Sequence, residues 1–287
     1  MDHTVFSDLD RMPPPMLALL MAALEAMSRH PEIKRVRRVA HELLCPVPGA
    51  CLLDAGCGNG DVARRLAADV GPHGAVVALD YSTVTIDAAR ERHDGSPVEY
   101  LTGDVAALDL PDDSLDGVWC ERVLQHLADA DRAIGEFTRV TRPGGRICLI
   151  DTDWESLAFD GMPPGLAAAV VGHMHGQVTS RQRDMGRTLR RRLVRAGLRG
   201  VRAVPVTLSF DTPASAGVVL PMVNPNVPAE ARLIPESIRE RWLAEVEQAG
   251  GRDEFLAMLT IWVAAGTVPA QAPRPEIARD VPVHDSR

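Results

Sequence analysis

Between residues 51 and 151, short apolar runs alternate with stretches whose apolar side chains recur every three or four positions. The runs read as buried strands and the three-to-four spacing as amphipathic helices, a βαβ pattern that predicts an α/β fold on a parallel sheet. Strands are predicted at Cys51–Ala55, Ala75–Asp80, Val98–Thr102, Gly117–Cys120 and Arg146–Asp151. Helices are predicted from Gly60 to Val70, Thr83 to His93 and Ala128 to Thr141, with the turn Arg142-Pro143-Gly144-Gly145 after the last. Two amphipathic helices, 16–28 and 32–44, precede these elements and are separated at His30-Pro31. Beyond them lie a further helix, Arg181–Gly197, a strand, Val201–Phe210, and a last apolar run, Phe255–Val263.

This pattern divides the chain into N-terminal helices (1–48), a core domain (49–267) and a Pro-rich, charged tail (268–287). Segments 152–180 and 211–252 are not needed by the core, and they carry Trp154, Phe159, Met162, Met174, Met222 and Trp242. They are expected to form substrate-cap insertions. A length of 287 residues suits one large domain with insertions. A formal net charge of -8 argues against non-specific nucleic-acid binding and leaves a small molecule as the expected partner. The basic run from Arg181 to Arg195 is read as a solvated helix face. Cys45, Cys51, Cys57, Cys120 and Cys148 form no CxxC pair, which is reduced-thiol usage. The apolar run Met16–Leu24 is too short to span a bilayer, and Asp2, Asp8 and Asp10 precede it where a leader would be basic. A cytoplasmic location without membrane association is therefore expected.

The densest chemical signal is Leu52-Leu53-Asp54-Ala55-Gly56-Cys57-Gly58-Asn59-Gly60, a strand entering a glycine-rich turn and then a helix. Glycines let the backbone turn sharply against a ligand, and the helix start leaves free N–H groups. Asp80, 24 positions after Gly56 and at the end of the second strand, can accept hydrogen bonds from ribose hydroxyls. A helix cap is the alternative role for it. In Gly103-Asp104-Val105 a carboxylate beside a backbone N–H can read an adenine edge, or Asp104 can simply form a turn.

Together with Arg142-Pro-Gly-Gly-Arg146, these segments resemble the class I S-adenosylmethionine-dependent methyltransferases over residues 33–151. Glu121-Arg122-Val123-Leu124-Gln125-His126-Leu127 and the helix before Gly144-Gly145 are similar to the group acting on small molecules such as quinones and natural products. The resemblance implies a Rossmann-like seven-stranded sheet with helices on both faces and an antiparallel last strand, here Phe255–Val263. It also implies S-adenosylmethionine as cofactor. On these positions Asp54 and the turn carrying Gly56 and Gly58 hold the methionine end, Asp80 the ribose, Tyr81 the neighbourhood of the adenosine, and Asp104 with Val105 the adenine. Cys120, through its backbone, and Glu121 border the methionine portion and the sulfonium.

Methyl transfer is an in-line displacement that gains chiefly from positioning, and it needs a base only for a protonated acceptor. His126 is the candidate base, with a structural role as the alternative. Arg35 and Arg38 are candidates for the methionine carboxylate, or are solvated. His173 and His175 have HxH spacing without further ligands at hand, so no metal is expected. Asp151, Asp153 and Glu155 follow the fifth strand and are candidates for orienting a substrate. The expected acceptor is hydrophobic or aromatic, with oxygen the first atom considered and nitrogen or carbon open. The N-terminal helices either close over the cofactor or pair in a homodimer. Two other functions compete. A nicotinamide-dependent oxidoreductase shares the turn and the acidic residue, but Asp61 occupies the third glycine position of its fingerprint. A protein that binds S-adenosylmethionine without transferring methyl is the second.

Overall fold

The structure, a computed structural model, describes residues 9–176, 182–228 and 233–270. Helices α1 (Pro14–Arg29) and α2 (Pro31–Leu44) lead into a core that begins with β1 (Cys51–Ala55), α3 (Asp61–Val70) and β2 (Ala75–Asp80). It continues through α4 (Thr83–Glu91), β3 (Val98–Thr102), β4 (Leu115–Glu121), α5 (Ala130–Val140) and β5 (Thr141–Asp160). The distal part comprises α6 (Pro164–Gly176), α7 (Met185–Arg195), β6 (Arg199–Phe210), α8 (Pro213–Val219), α9 (Glu236–Gly251) and β7 (Leu256–Thr267).

The strands form one seven-stranded sheet in the order β3-β2-β1-β4-β5-β7-β6. β1 to β5 pair in parallel, and β7 runs antiparallel to both of its neighbours, β5 and β6. Alternation along each strand explains why helices cover both faces. Leu52, Val76, Trp119, Cys148 and Ile150 join one buried cluster with α2, α3 and α4. Their neighbours Leu53, Leu79, Val118, Ile147 and Leu149 join another with α5 and α7. The strand order reverses between β1 and β4, so the ends of those strands flank a crevice at the switch point where open α/β sheets bind ligands.

Two expectations need correction. β5 does not stop at Asp151: Thr152 and Asp153 pair with Ile261 and Thr260, and after a bulge Ala158–Asp160 pair with Met258–Leu256. The first third of the segment assigned to a cap is therefore sheet, because the long β7 offers it a partner. The remaining apolar residues are core as well. Met162 and Met174 on the α6 side, Met222, and the fully buried Trp242 of α9 belong to the cluster that continues from the sheet. Trp242 donates from Nε1 to the Met222 carbonyl at 2.9 Å and meets Phe159 edge-on, ring centroids 5.0 Å apart. At the other end, the buried Val268 exchanges backbone hydrogen bonds with Gly144 and Gly145, so the domain runs past 267. Most of the tail, 271–287, lies outside the described residues.

Candidate functional site

β1 delivers Asp54 and then turns through three glycines with left-handed backbone: Gly56 (φ +78°), Gly58 (φ +52°) and Gly60 (φ +74°). At Gly56 space matters as much as φ, since a Cβ there would lie 2.1 Å from Val123 Cγ2. The turn is tied to β2, whose Leu79 carbonyl accepts from the N–H groups of both Gly56 (2.7 Å) and Cys57 (3.0 Å). Asp80 then accepts from Gly58 N–H on Oδ2 (2.8 Å) and from Ser82 N–H on Oδ1 (3.1 Å). A carboxylate has about four lone-pair sites, so this leaves acceptor capacity on both oxygens. Capping of α4 falls to Ser82, whose hydroxyl accepts from Thr85 N–H. Asp10 adds to that end of the helix, taking the Ser82 hydroxyl at 2.6 Å and the N–H groups of Thr83 and Val84.

Asp54, Gly56, Cys57, Gly58 and Asp80 border a cavity of about 400 Å³, within the usual ~300–1,000 Å³ of small-molecule sites. Its roof comes from the N-terminal segment: Leu9, Leu24, Met27 and Ser28, then Ile33 and Arg37 of α2. Five carboxyl groups line it, Asp54, Asp61, Asp80, Asp104 and Glu121, against two guanidinium groups, Arg37 and Arg122. Arg37 is held from three sides. Its Nε donates to both oxygens of Glu121 (3.0 and 2.9 Å), and its Nη1 to Asp61 (2.9 Å) and Ser28 (2.6 Å).

Asp54 is 2% exposed, and its Oδ2 has no hydrogen-bond partner. Burial, reinforced by the negative Glu121 and Asp80 and opposed by Arg37, pushes its carboxyl up to about 8. A buried acceptor without a partner at the head of a glycine turn fits a ligand that brings a cation or N–H donors. The thiols of Cys57, Cys120 and Cys148 are all pushed up by burial and hold little thiolate. No cluster of metal-ligating side chains occurs among the described residues, and no helix among them is long and apolar enough to cross a membrane.

Residues 53–149, the segment that builds this turn and the strands around it, match the family model described as a methyltransferase domain. This segment is similar to the methyltransferase domain, and its motifs resemble those of the class I S-adenosylmethionine-dependent methyltransferases. The chain is 38% identical over 104 residues to the 2-phytyl-1,4-naphtoquinone methyltransferase of Thermosynechococcus vestitus, spanning 36% of this chain and 46% of that one. A longer match, 36% identical over 218 residues, is to an uncharacterized 37.1 kDa protein in transposon TN4556 of Streptomyces fradiae, covering 75% of this chain and 62% of that protein. The chain thus spans less than two thirds of the length of these relatives. The fold is shared with phosphoethanolamine N-methyltransferase 2 of Haemonchus contortus (TM-score 0.60, 17% identity), over 92% of this chain and 60% of that one.

Within this segment, Asp54, Gly56, Gly58, Asp80, Tyr81, Asp104, Val105, Glu121 and His126 all border the same cavity. Cys120 does not: its side chain is buried in the core on the α5 side. Asp104 does form a turn, its Oδ1 accepting from Ala106 N–H at 2.8 Å, and still lines the cavity. The arginines are corrected. Arg35 bonds to Glu32 and to the Thr207 carbonyl, and Glu32 accepts from Ser209 N–H, so this pair covers the open edge of β6. Arg38 is exposed, and Arg37 is the cation that α2 presents to the cavity. Asp151 is fully buried, pushed up to about 7 by that burial, and accepts from the N–H groups of Gln125 and Thr152. Asp153 and Glu155 pair with Arg187 of α7. None of the three lines the cavity. In the basic run, Arg192 pairs with Asp131 while Arg190, Arg191 and Arg195 are exposed. His173 lies outside the cavity, and the side chain of His175 is outside the described residues.

Proposed function

We propose that this chain binds S-adenosylmethionine in the roofed cavity and catalyses transfer of its methyl group to a small hydrophobic or aromatic acceptor. The observation that carries the reading is the charge of the cavity: five carboxyl groups to two guanidiniums, with Oδ2 of the buried Asp54 lacking a hydrogen-bond partner. Such a wall suits a ligand that carries ammonium and sulfonium charge and repels a pyrophosphate. Asp61, at the start of α3 and aimed toward Arg37, places a negative charge where a dinucleotide would need its phosphates.

When bound, S-adenosylmethionine supplies an electrophilic methyl group on a sulfonium sulfur. Asp54 takes the ammonium, exchanging its proton for the ligand's charge. Arg37, whose Nη2 makes no hydrogen bond among the described residues, faces the carboxylate. Asp80 receives the ribose hydroxyls on its remaining lone pairs while its bonds to Gly58 and Ser82 fix its rotamer. Asp104 and the Val105 N–H read the adenine, and Tyr81 covers it. Glu121, held by Arg37, borders the sulfur. The apolar side chains of Leu24, Met27, Val123 and Leu127 exclude water and leave an acceptor surface next to His126, the candidate base for a hydroxyl acceptor.

Calorimetric titration with S-adenosylmethionine, S-adenosylhomocysteine and NADH, repeated on Asp80→Ala, tests the reading. Saturable binding of the first two, lost in the variant, is expected; binding of NADH alone would overturn it. Formation of S-adenosylhomocysteine in step with a methylated product separates transfer from binding without transfer.

A further inference from the structure

Arg122 is a cation to which no anion among the described residues is bonded. It follows β4 directly, lines the cavity between Glu121 and Val123, and is only partly exposed. Its Nε is buried without a hydrogen-bond partner, and its Nη1 donates to the thioether sulfur of Met27, a weak acceptor. Two carboxylates stand near enough to act on it electrostatically, but both are used elsewhere. Glu121 gives both oxygens to Arg37, and Asp151 takes backbone N–H groups on each of its own. Among the described residues Arg122 therefore forms no ion pair. Burying the Nε of a guanidinium without an acceptor, beside an Nη1 that meets only sulfur, is costly, and a guanidinium stays charged at any working pH.

The backbone at this position is also held against its preference. Arg122 has φ +59°, in the left-handed region that costs a residue with a side chain about 1–3 kcal/mol. Its N–H is fixed to the Ile150 carbonyl at 2.7 Å. This conformation directs the chain from the β4 end along the cavity wall, into the turn that carries His126. An unpartnered cation and a strained backbone coincide at the residue bordering both the sulfonium end and the apolar wall formed by Leu24, Met27 and Leu127.

We propose that Arg122 binds an anionic oxygen of the methyl acceptor, a carboxylate or an ionised enol or phenol, and so selects acidic acceptors. This rests on the proposed function, since it takes the cofactor to occupy the Asp54–Asp80 side. It makes Arg122 a specificity-determining residue: the acceptor arrives as the anion, and the guanidinium sets its orientation against the methyl group.

The test uses the full chain with saturating S-adenosylhomocysteine and two pairs of bicyclic probes. One pair is 2-naphthoate and its neutral amide; the other is 2-hydroxy-1,4-naphthoquinone, an acidic enol ionised at neutral pH, and its methyl ether. For at least one pair the anion is expected to bind tenfold or more tightly than its neutral partner, and which pair discriminates identifies carboxylate or enolate. Arg122→Met should erase that ratio, Arg122→Lys should keep part of it, and both should retain S-adenosylhomocysteine affinity, which also certifies folding. Equal binding within both pairs, no binding of either anion, or a ratio unchanged in Arg122→Met overturns the proposal. So does loss of S-adenosylhomocysteine affinity by folded Arg122→Met, which would give Arg122 to the cofactor's carboxylate instead. Failure of the unsubstituted protein to bind S-adenosylhomocysteine sinks the functional reading, and is seen in a separate titration from the probe ratios.

Discussion

Replacing Asp54 with Asn should make the free protein more stable and the liganded protein weaker, with both effects dependent on pH. The carboxyl of Asp54 is pushed from 3.8 to about 8 by burial, Glu121 and Asp80. Below pH 4 it is neutral in folded and unfolded chains alike. Between about 4 and 8 the unfolded chain ionises it while the folded chain holds the proton, so stability falls by about 1.4 kcal/mol per pH unit. By pH 7 the loss is on the order of 4 kcal/mol, and above 8 it levels off. Asn mimics the protonated acid and has no such slope. Thermal unfolding from pH 4 to 8.5 should therefore show Asp54→Asn melting with the parent at the acid end and above it at neutral pH, by on the order of ten degrees. Binding runs the other way. A cationic ligand must ionise Asp54, so at pH 7 about 0.9 proton should leave on binding S-adenosylhomocysteine. Calorimetry in two buffers of different ionisation enthalpy measures that proton. Affinity should climb close to tenfold per pH unit from 5.5 to 7.5, and Asp54→Asn should bind weakly with no slope. A melting difference independent of pH together with no proton release would refute the argument, because Asp54 would then already be ionised in the free protein.

Gly56→Ala forces a Cβ against Val123 at a left-handed φ, so it should lower stability by on the order of 2–4 kcal/mol in urea unfolding and abolish S-adenosylhomocysteine binding. Arg37→Met leaves Glu121 and Asp61 without their shared cation; we expect a loss on the order of 3–5 kcal/mol at pH 7 in the same urea unfolding. Trp242→Phe loses the bond to the Met222 carbonyl and some buried area, so melting should fall by several degrees while S-adenosylhomocysteine affinity stays unchanged. A changed affinity there would return the α6–α9 cluster to the binding site.

The carboxylate wall of the cavity was legible because each of its residues sits where a strand meets a turn. Ends of short, doubly buried strands stand out in the hydrophobic pattern, so Asp54, Asp80, Asp104 and Glu121 could be placed without coordinates. The roof was less legible. Helix period alone separates Arg37 from its neighbours, because it shares a face with Ile33 and Ala40, four before and three after; attention to charge instead of phase led to Arg35 and Arg38. The supposed cap failed for a different reason. Trp154, Phe159, Met162 and Trp242 look like a ligand surface when no partner strand is visible, and the pairing that turns them into core connects β5 with β7, about 100 positions apart. Arg122 carried no sequence signal, since nothing local reveals that Glu121 and Asp151 have other partners.

The roof precedes every strand it closes upon. Arg37 meets Glu121 across 84 positions, Asp10 meets Ser82 across 72, and Arg35 meets the Thr207 carbonyl across 172. Contacts of such separation are slow to form, because the loops they close must be ordered before anything is gained. A chain in which β4 or β6 is unformed lacks the first or the last of these contacts, so the N-terminal segment is fully anchored only when the sheet is complete. Ligand affinity then becomes a reporter of the whole fold rather than of one loop. By the same linkage, a ligand present at a hundred times its dissociation constant adds about 2.7 kcal/mol to the stability of the entire domain.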